Sequence, residues 1–226
     1  MSKKKIGVGL ISVGWMGNLH TRAYQSLSHI YPELGVEAEL VIAADTAEDR
    51  AKYAQEVLGY RESTTDYHKV LNHPDVDVVS ICSPNFLHKE MGVAAANAGK
   101  AFWIEKPVGR GAAETIEVED AVNKAQVETS IGFNYRHPPA VEYAKKIIAE
   151  GQLGRITNVR GSYFADYSAE PNGALSWRFI REYAGSGVLG DLMGHLADQV
   201  QYIMGPISEV VGLTKTVITE RPVLQM

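Results

Sequence analysis

The chain has 226 residues, 45% of them hydrophobic, which is enough for the packed core of one large domain or two small ones. Lysine and arginine number 22 against 27 aspartates and glutamates, and this net charge of −5 argues against a nucleic-acid surface. The apolar runs fall short of the roughly 20 residues that span a membrane, residues 1–5 lead straight into a strand rather than a signal-peptide core, and a single cysteine, Cys82, allows no internal disulfide. We therefore expect a cytoplasmic protein with no membrane or nucleic-acid partner.

The segment KIGVGLISVGWMG, residues 5–17, predicts a buried parallel strand, a tight turn and a helix. Gly14 would let the backbone approach a pyrophosphate, and Gly17 would let the helix pack closely on the strand. The amino end of the helix would present unpaired N–H groups to the anion. The pattern therefore indicates a dinucleotide site formed by Ser12, Gly14, Trp15, Met16 and Gly17.

Two features depart from the usual G-x-G-x-x-G fingerprint. Ser12 stands at the first glycine position, so the first turn must form without glycine. Asp45, at the end of the run AELVIAAD, would accept hydrogen bonds from the adenosine ribose, but it comes later than the usual spacing of about 20 residues. A carboxylate there favours NAD and repels the 2′-phosphate of NADP, although Arg50 lies one turn further on. On the glycine turn alone, an ordinary turn in some other α/β protein remains the alternative.

The first part of the chain alternates strands with helices. Helices are predicted at 18–27, 47–58, 66–74, 88–99 and 114–126, and further strands at 38–45, 76–84, 101–107 and 129–136. This alternation is typical of a doubly wound parallel sheet, which binds ligands beyond the carboxyl ends of its strands. We therefore predict an NAD(P)-binding Rossmann domain over residues 1–133. The residues predicted at such strand ends are Ser83, Pro84, Asn85, Glu105, Lys106, Pro107, Asn134 and Tyr135.

The pattern changes after about residue 133, and residues 134–226 form a second predicted domain of the α+β class. Helices are predicted at 138–154 and 185–205, and long alternating strands at 156–168 and 208–219. Alternating strands suit an open, mostly antiparallel sheet. A sheet of only two long strands would keep an unpaired edge, so we expect the domain to be incomplete at its C-terminal end, with impaired stability and activity.

The order of these motifs resembles the Gfo/Idh/MocA oxidoreductase family. The resemblance rests on the glycine turn, on NHPDVDVVSICSPNFLH, WIEKPVG and NYRHPPAVEYAKKIIAEGQLGRI, and on GSGVLGDLMGHLADQVQYIMG, and it covers essentially the whole chain. The stretch FADYSAEPNGALSWRF is similar to a branch that contains sugar and anhydrosugar dehydrogenases. The resemblance implies hydride transfer between NAD, or less favourably NADP, and a secondary hydroxyl of a sugar, inositol or related polyol. It also implies a homo-oligomer, a dimer or tetramer, when the chain is full length.

The family resemblance assigns catalytic roles to Lys106, Asp191 and His195, and their chemistry suits those roles. His195 has an unperturbed pKa of about 6.5 and would take the hydroxyl proton, with Asp191 four residues earlier on the same helix face. Lys106 would stabilise the developing alkoxide, and Glu105 would fix its loop or pair with it. The alternatives are an N-cap aspartate, a hydrogen-bonded core histidine and a solvated loop lysine. Structural or surface roles are expected for His20, His29, His68, His73 and His137.

Other residues would line the ligand sites. Asn85, His88 and Tyr135 resemble family positions near the nicotinamide or the substrate. A polyol pocket would be walled by Tyr163, Asp166, Trp177 and Arg178, with aromatic faces against C–H groups and polar atoms on hydroxyls. The Cys and His residues have no metal-ligand spacing, so no metal is expected. Two other functions stay open: an NAD-dependent glycoside hydrolase of the same fold, and a non-catalytic regulator that senses a nucleotide or sugar.

Overall fold

The computed structural model describes residues 3–223, and the chain divides into two compact units, Met1–Gly132 and Phe133–Met226. The first unit contains one sheet of six strands, in which every pair is parallel and the order is β3-β2-β1-β4-β5-β6. This is the strand order of a Rossmann sheet, so the predicted doubly wound architecture is confirmed. The strands are β1 (Lys4–Ile11), β2 (Val36–Ala44), β3 (Glu62–Thr64), β4 (Val78–Ile81), β5 (Ala101–Ile104) and β6 (Thr129–Ile131).

The strands form because short apolar runs can be buried on both faces of a parallel sheet. Val8, Leu10, Val79 and Ile81 are completely buried at the centre of the sheet. The connecting helices are α1 (Trp15–Ile30), α2 (Glu48–Glu56), α3 (Tyr67–Leu71), α4 (Asn85–Asn97) and α5 (Ala112–Ala125). The chain order reverses between β1 and β4, so the crevice beyond their carboxyl ends is the expected ligand site of such a sheet.

Two details of the first unit differ from the sequence prediction. Strand β3 was not predicted because its three residues, Glu-Ser-Thr, are polar, and its pairing with the end of β2 makes it a strand at the sheet edge. Helix α1 begins at Trp15, three residues before the predicted start, and runs to Ile30. The short 3₁₀ helix Pro32–Leu34 follows it. The late position of Asp45 is therefore caused by a long first helix, while the strand order is unchanged.

The second unit is helical in the described residues. It contains α6 (Pro139–Ala149), α7 (Arg181–Ala184) and α8 (Gly194–Met204), a π-helical turn over Leu189–Met193, and the 3₁₀ helices Asn134–Arg136 and Trp177–Phe179. None of the helices described in either unit is long and apolar enough to cross a membrane.

The two predicted antiparallel strands of the second unit are corrected by the structure. Within the residues that the structure describes, neither 156–168 nor 208–219 joins a ladder of backbone hydrogen bonds. A strand needs a neighbour about 4.8 Å away to pair its N–H and C=O groups, and an alternating pattern alone supplies none. Val211 and Leu213 are 102% and 99% exposed, which shows that the apolar side chains of this segment are not covered.

The first turn of the dinucleotide motif is made by a serine in a left-handed conformation. Ser12 has a φ of 76°, and its N–H donates to the Ala44 carbonyl at 2.8 Å. A left-handed backbone conformation costs a residue with a Cβ about 1–2 kcal/mol, and replacing Ser12 by glycine removes this cost. Part of the gain is lost because glycine has a larger conformational entropy in the unfolded state. We expect Ser12→Gly to raise the free energy of unfolding by about 0.5–1 kcal/mol, measured by urea denaturation.

A serine in the last turn of α1 provides the matched control for Ser12→Gly. Ser28 is helical, so Ser28→Gly should lower the free energy of unfolding by about 0.5–1 kcal/mol. If both substitutions lowered stability equally, the conformation of Ser12 would not be strained.

Candidate functional site

The turn after β1 leaves space on one side and packs tightly on the other. Gly14 is the N-cap of α1 without a side-chain cap, and a Cβ built on it would meet no atom of residues 3–223 within 4 Å. A Cβ on Gly17 would lie 2.2 Å from the Ser12 carbonyl oxygen. Trp15 begins the helix and is exposed. The amino end of α1 is therefore open for an anion to approach the backbone at Gly14, while Gly17 allows the helix to contact the turn.

A cavity lies at the carboxyl ends of β1, β2 and β4. It brings together four of the predicted cofactor residues, Ser12, Asp45, Ser83 and Pro84. The rest of its lining was not predicted, because those residues are the last residues of β1 and β2 or come from helices and turns whose side-chain directions depend on packing. The residues added by the structure are Ile11, Ala44, Thr46, Thr65, Tyr67, Leu87 and Met91.

Asp45 connects two of the turns that surround this cavity. Its carboxylate is buried, and Oδ2 accepts a hydrogen bond from the Val13 N–H at 2.8 Å while Oδ1 accepts one from the Ala47 N–H at 3.0 Å. These bonds hold the glycine turn against the start of α2. Each carboxylate oxygen has a second lone pair, so Asp45 can also accept hydrogen bonds from ribose hydroxyls.

The loop after β4 contains a buried serine hydroxyl without a hydrogen-bond partner among the described residues, and a histidine whose two ring nitrogens both contact carbonyl oxygens. Ser83 Oγ is buried, and no residue in the described range 3–223 hydrogen-bonds to it. His88 is 1% exposed, and its Nε2 and Nδ1 each lie 2.6 Å from a carbonyl oxygen, of Ser83 and of Pro107. Burial lowers the pKa of His88 and outweighs the two carbonyls, which raise it. His88 thus ties the loop after β4 to the loop after β5.

Lys106 and Glu105 follow β5 directly. Lys106 is partly exposed, whereas the Glu105 carboxylate is buried and its Oε1 lies 3.0 Å from His20 Nε2. Asn85 is the first residue of α4, and Pro84 is its N-cap. The first unit therefore places these four predicted residues at the carboxyl ends of neighbouring strands, β4 and β5.

In the second unit, His195 lies in an aromatic cluster formed by Phe133, Tyr135 and Tyr163. His195 is 6% exposed, and its ring stacks on Tyr135 with centroids 4.3 Å apart. Phe133 and Tyr163 meet the imidazole edge-on, at 6.0 and 6.2 Å. The hydroxyls of Tyr135 and Tyr163 are 2.8 Å apart, and this hydrogen bond is the main cause that raises the pKa of Tyr163 to about 12. Three predicted site residues are therefore adjacent.

Asp191 lies inside the π-helical turn Leu189–Met193, whose N-cap is Val188. The alternative of an N-cap aspartate is therefore excluded. Tyr167 donates its hydroxyl proton to Asp191 Oδ2 at 2.7 Å, and burial together with this bond raises the pKa of Tyr167 to about 12. Tyr167 was not predicted, because nothing in the sequence pattern pairs two residues 24 positions apart. Single π-helical turns are frequent at functional sites.

The other predicted pocket residues, Asp166, Trp177 and Arg178, lie between Tyr163 and Asp191 in sequence. The Arg178 guanidinium lies over the Trp177 ring, 4.5 Å from its centroid. The Asp166 side chain is exposed, and its carbonyl accepts a hydrogen bond from the Ala169 N–H at 2.9 Å. The structure thus shows Trp177 and Arg178 as one stacked pair and Asp166 as a loop residue.

The strand order, the open glycine turn and the cavity beyond the strand ends define a doubly wound α/β protein of the dinucleotide-binding class. Residues 6–133 match the oxidoreductase family with an NAD-binding Rossmann fold, and residues 141–225 match the GFO/IDH/MocA C-terminal domain. The chain belongs to the Gfo/Idh/MocA oxidoreductase family.

Named relatives cover almost all of the chain. Levoglucosan dehydrogenase from Pseudarthrobacter phenanthrenivorans is 42% identical over 220 residues, 97% of this chain and 56% of the relative. Myo-inositol 2-dehydrogenase from Thermotoga maritima is 27% identical over 216 residues, 96% of this chain and 60% of the relative. The solved structure of levoglucosan dehydrogenase in complex with NADH and levoglucosan has a TM-score of 0.94 at 40% identity, and the match covers 97% of this chain and 60% of that one. The chain thus spans less than two thirds of the length of these relatives.

Proposed function

We propose that the chain binds NAD and transfers hydride between the nicotinamide and a secondary hydroxyl of a sugar, inositol or related polyol. The observation that carries the cofactor half of this proposal is the cavity lined by Ser12, Asp45 and Ser83 beside the amino end of α1. The names of the relatives, an anhydrosugar and an inositol dehydrogenase, support the substrate class.

The first unit has room and polar partners for the dinucleotide. The backbone at Gly14 is open, the buried Ser83 hydroxyl has no hydrogen-bond partner within residues 3–223, and Asp45 carries a carboxylate that repels a 2′-phosphate. NAD is therefore preferred over NADP. When bound, its nicotinamide supplies the hydride acceptor. We propose as its binding residues Ser12, Gly14, Trp15, Met16, Gly17, Asp45, Ser83, Pro84, Asn85, His88, Glu105 and Lys106.

The chemical roles follow from the charge and proton-transfer capacity of three side chains. His195 takes the proton of the substrate hydroxyl, Lys106 stabilises the negative charge that develops on that oxygen, and Asp191 polarises the imidazole or binds a second hydroxyl. The hydride leaves the same carbon, so the alcohol becomes a carbonyl. Substrate contacts are proposed for Tyr135, Tyr163, Asp166, Trp177 and Arg178.

Binding and turnover are tested separately. Quenching of protein fluorescence should show NADH binding at least about tenfold tighter than NADPH, because the Asp45 carboxylate opposes the extra phosphate. NADH formation, followed by absorbance with inositols, aldoses and anhydrosugars, should then identify one substrate group. NADH binding without any NADH formation would contradict the dehydrogenase and favour the glycoside hydrolase or the regulator. Absence of NADH binding would contradict the cofactor proposal itself.

We also propose that the protein acts in the cytoplasm as a homo-oligomer. Four apolar side chains within residues 208–219 are 81–102% exposed, those of Val210, Val211, Leu213 and Val217, and this supports association because exposed apolar patches mark interaction surfaces. Sedimentation equilibrium should give a mass of at least twice 24.7 kDa, and a monomer at micromolar concentration would contradict this part.

The hydrogen bond from Tyr167 to Asp191 gives a testable consequence of the catalytic proposal. Tyr167→Phe keeps the ring that stacks with Phe179 but removes the donor to the Asp191 carboxylate. We expect kcat to fall about tenfold, because a hydrogen bond to a charged group contributes about 1.5–3 kcal/mol, part of which is recovered by water. Steady-state kinetics measure the change. Tyr143→Phe, on the exposed face of α6, is the control and should leave kcat unchanged.

A further inference from the structure

A chain of hydrogen bonds runs through the first unit from α1 to the end of β5. Tyr24 and His20, both on α1, meet the Ser80 hydroxyl of β4, at 2.8 Å from the Tyr24 hydroxyl and 3.0 Å from His20 Nδ1. His20 Nε2 lies 3.0 Å from Glu105 Oε1. The Trp103 ring packs edge-on against the imidazole at 5.6 Å. Four polar side chains from three elements are therefore joined in one line.

The protein holds the Glu105 carboxylate in a buried place that is shaped for it. The side chains of His20 and Glu105 are each 11% exposed. A Cβ on Gly132 would lie 2.6 Å from Glu105 Oε1, so the glycine makes the room that the carboxylate occupies. A carboxylate taken out of water is costly unless a hydrogen-bond donor compensates it, and His20 is positioned to be that donor.

The neighbours of His20 favour one direction of donation along the chain. A carboxylate can only accept hydrogen bonds, so His20 Nε2 is the donor in its contact with Glu105. In a neutral ring Nδ1 is then the acceptor, so the Ser80 hydroxyl donates to Nδ1 and in turn accepts from the Tyr24 hydroxyl. The hydrogen-bond network thus assigns a ring tautomer that suits the carboxylate.

We propose that His20 is a positioning residue that holds the Glu105 carboxylate and thereby orients Lys106, the next residue in the chain. The inference rests on the proposed role of Lys106. It gives a function to a histidine for which the sequence predicts only a structural or surface role. It also links α1, whose amino end faces the dinucleotide, to the strand end that carries the lysine.

Substitutions at His20 separate the bond to Glu105 from the bond to Ser80. His20→Gln places an amide donor close to the position of Nε2, His20→Asn places one close to Nδ1, and His20→Phe keeps a ring without either nitrogen. His29→Phe is the matched control, because His29 lies on the exposed face of the same helix. The Gln and Asn variants are both polar, so they remain comparable if the Phe variant does not fold.

The readout is the reactivity of Lys106 towards acetic anhydride at trace concentration, measured on the intact chain by mass spectrometry against the other lysines. We expect the relative labelling rate of Lys106 to change about tenfold in His20→Phe and His20→Asn, to return towards the wild-type value in His20→Gln, and to stay unchanged in His29→Phe. An unchanged Lys106 rate in His20→Asn would overturn the inference, even if the unfolding midpoint fell, because only a structural role would then remain.

Labelling of Lys106 needs neither cofactor nor substrate. A failure of the positioning role can therefore be distinguished from a failure of the proposed function. If the wild-type chain does not bind NADH, the proposed function fails, while the labelling pattern still reports whether His20 orients Lys106. If NADH binds and the labelling rates of all the His20 variants equal that of the wild type, only the positioning role fails.

Discussion

Replacing Lys106 by methionine is expected to lower the rate of hydride transfer by about 100- to 1,000-fold. Methionine keeps an apolar stem of similar length but has no charge to stabilise the oxygen from which the proton leaves. The lysine lies two residues after the end of β5, at the sheet edge where ligands of this fold bind. The affinity for NADH should fall much less than the rate, because we propose that the ammonium contacts the dinucleotide but acts mainly on the reacting oxygen. Single-turnover absorbance and a fluorescence titration measure the two quantities.

Two further variants serve as controls for the Lys106→Met prediction. Lys124→Met changes an exposed lysine in the last turn of α5 and should leave both quantities unchanged. Lys106→Arg retains the charge in a larger, planar group and should recover only part of the rate. Turnover by Lys106→Met at the wild-type rate would show that another group stabilises the alkoxide, and the catalytic assignment of Lys106 would be wrong.

The Rossmann unit was predictable because its signals are local. A parallel strand buried on both faces must be a short apolar run, and the runs that end at Ile11, Ala44, Ile81 and Ile104 all became strands of the central sheet. Strand β3 was missed because its residues are polar and only the neighbouring end of β2 makes them a strand. Pairing with a neighbour, and not the local pattern, also decides the outcome in the second unit. Alternation at 156–168 and 208–219 predicted strands, but in the described residues neither segment joins a ladder of backbone hydrogen bonds.

The contacts of the site were less predictable than its location. The strand ends placed Asp45, Glu105 and Lys106 where the fold binds ligands, since that follows from chain direction alone. The partners of these residues depend on packing. His20 is 85 residues from Glu105 in sequence, and neither periodicity nor motif spacing connects the two. Tyr167 meets Asp191 across an irregular segment, which has no period from which the direction of a side chain can be inferred.

The two glycines of the turn after β1 are expected to fail in different ways when each is replaced by alanine. At Gly17 the new methyl group would lie 2.2 Å from the Ser12 carbonyl oxygen, a backbone atom that cannot move without disturbing the turn. We expect Gly17→Ala to lower the free energy of unfolding by about 2–4 kcal/mol, measured by urea denaturation. NADH binding should weaken with it, because the same displacement moves the amino end of α1.

At Gly14 the methyl group meets no atom of the described part of the chain within 4 Å, and the backbone angles of −75° and −163° are accessible to any residue. Stability should therefore change by less than about 0.5 kcal/mol. Affinity for NADH should nevertheless fall at least about tenfold, because the methyl group occupies the face that a pyrophosphate must approach. Normal NADH binding by a stable Gly14→Ala variant would show that the dinucleotide does not cross this turn. Loss of binding with stability retained would identify the open face of Gly14 as ligand space, since no contact among the described residues requires a glycine there.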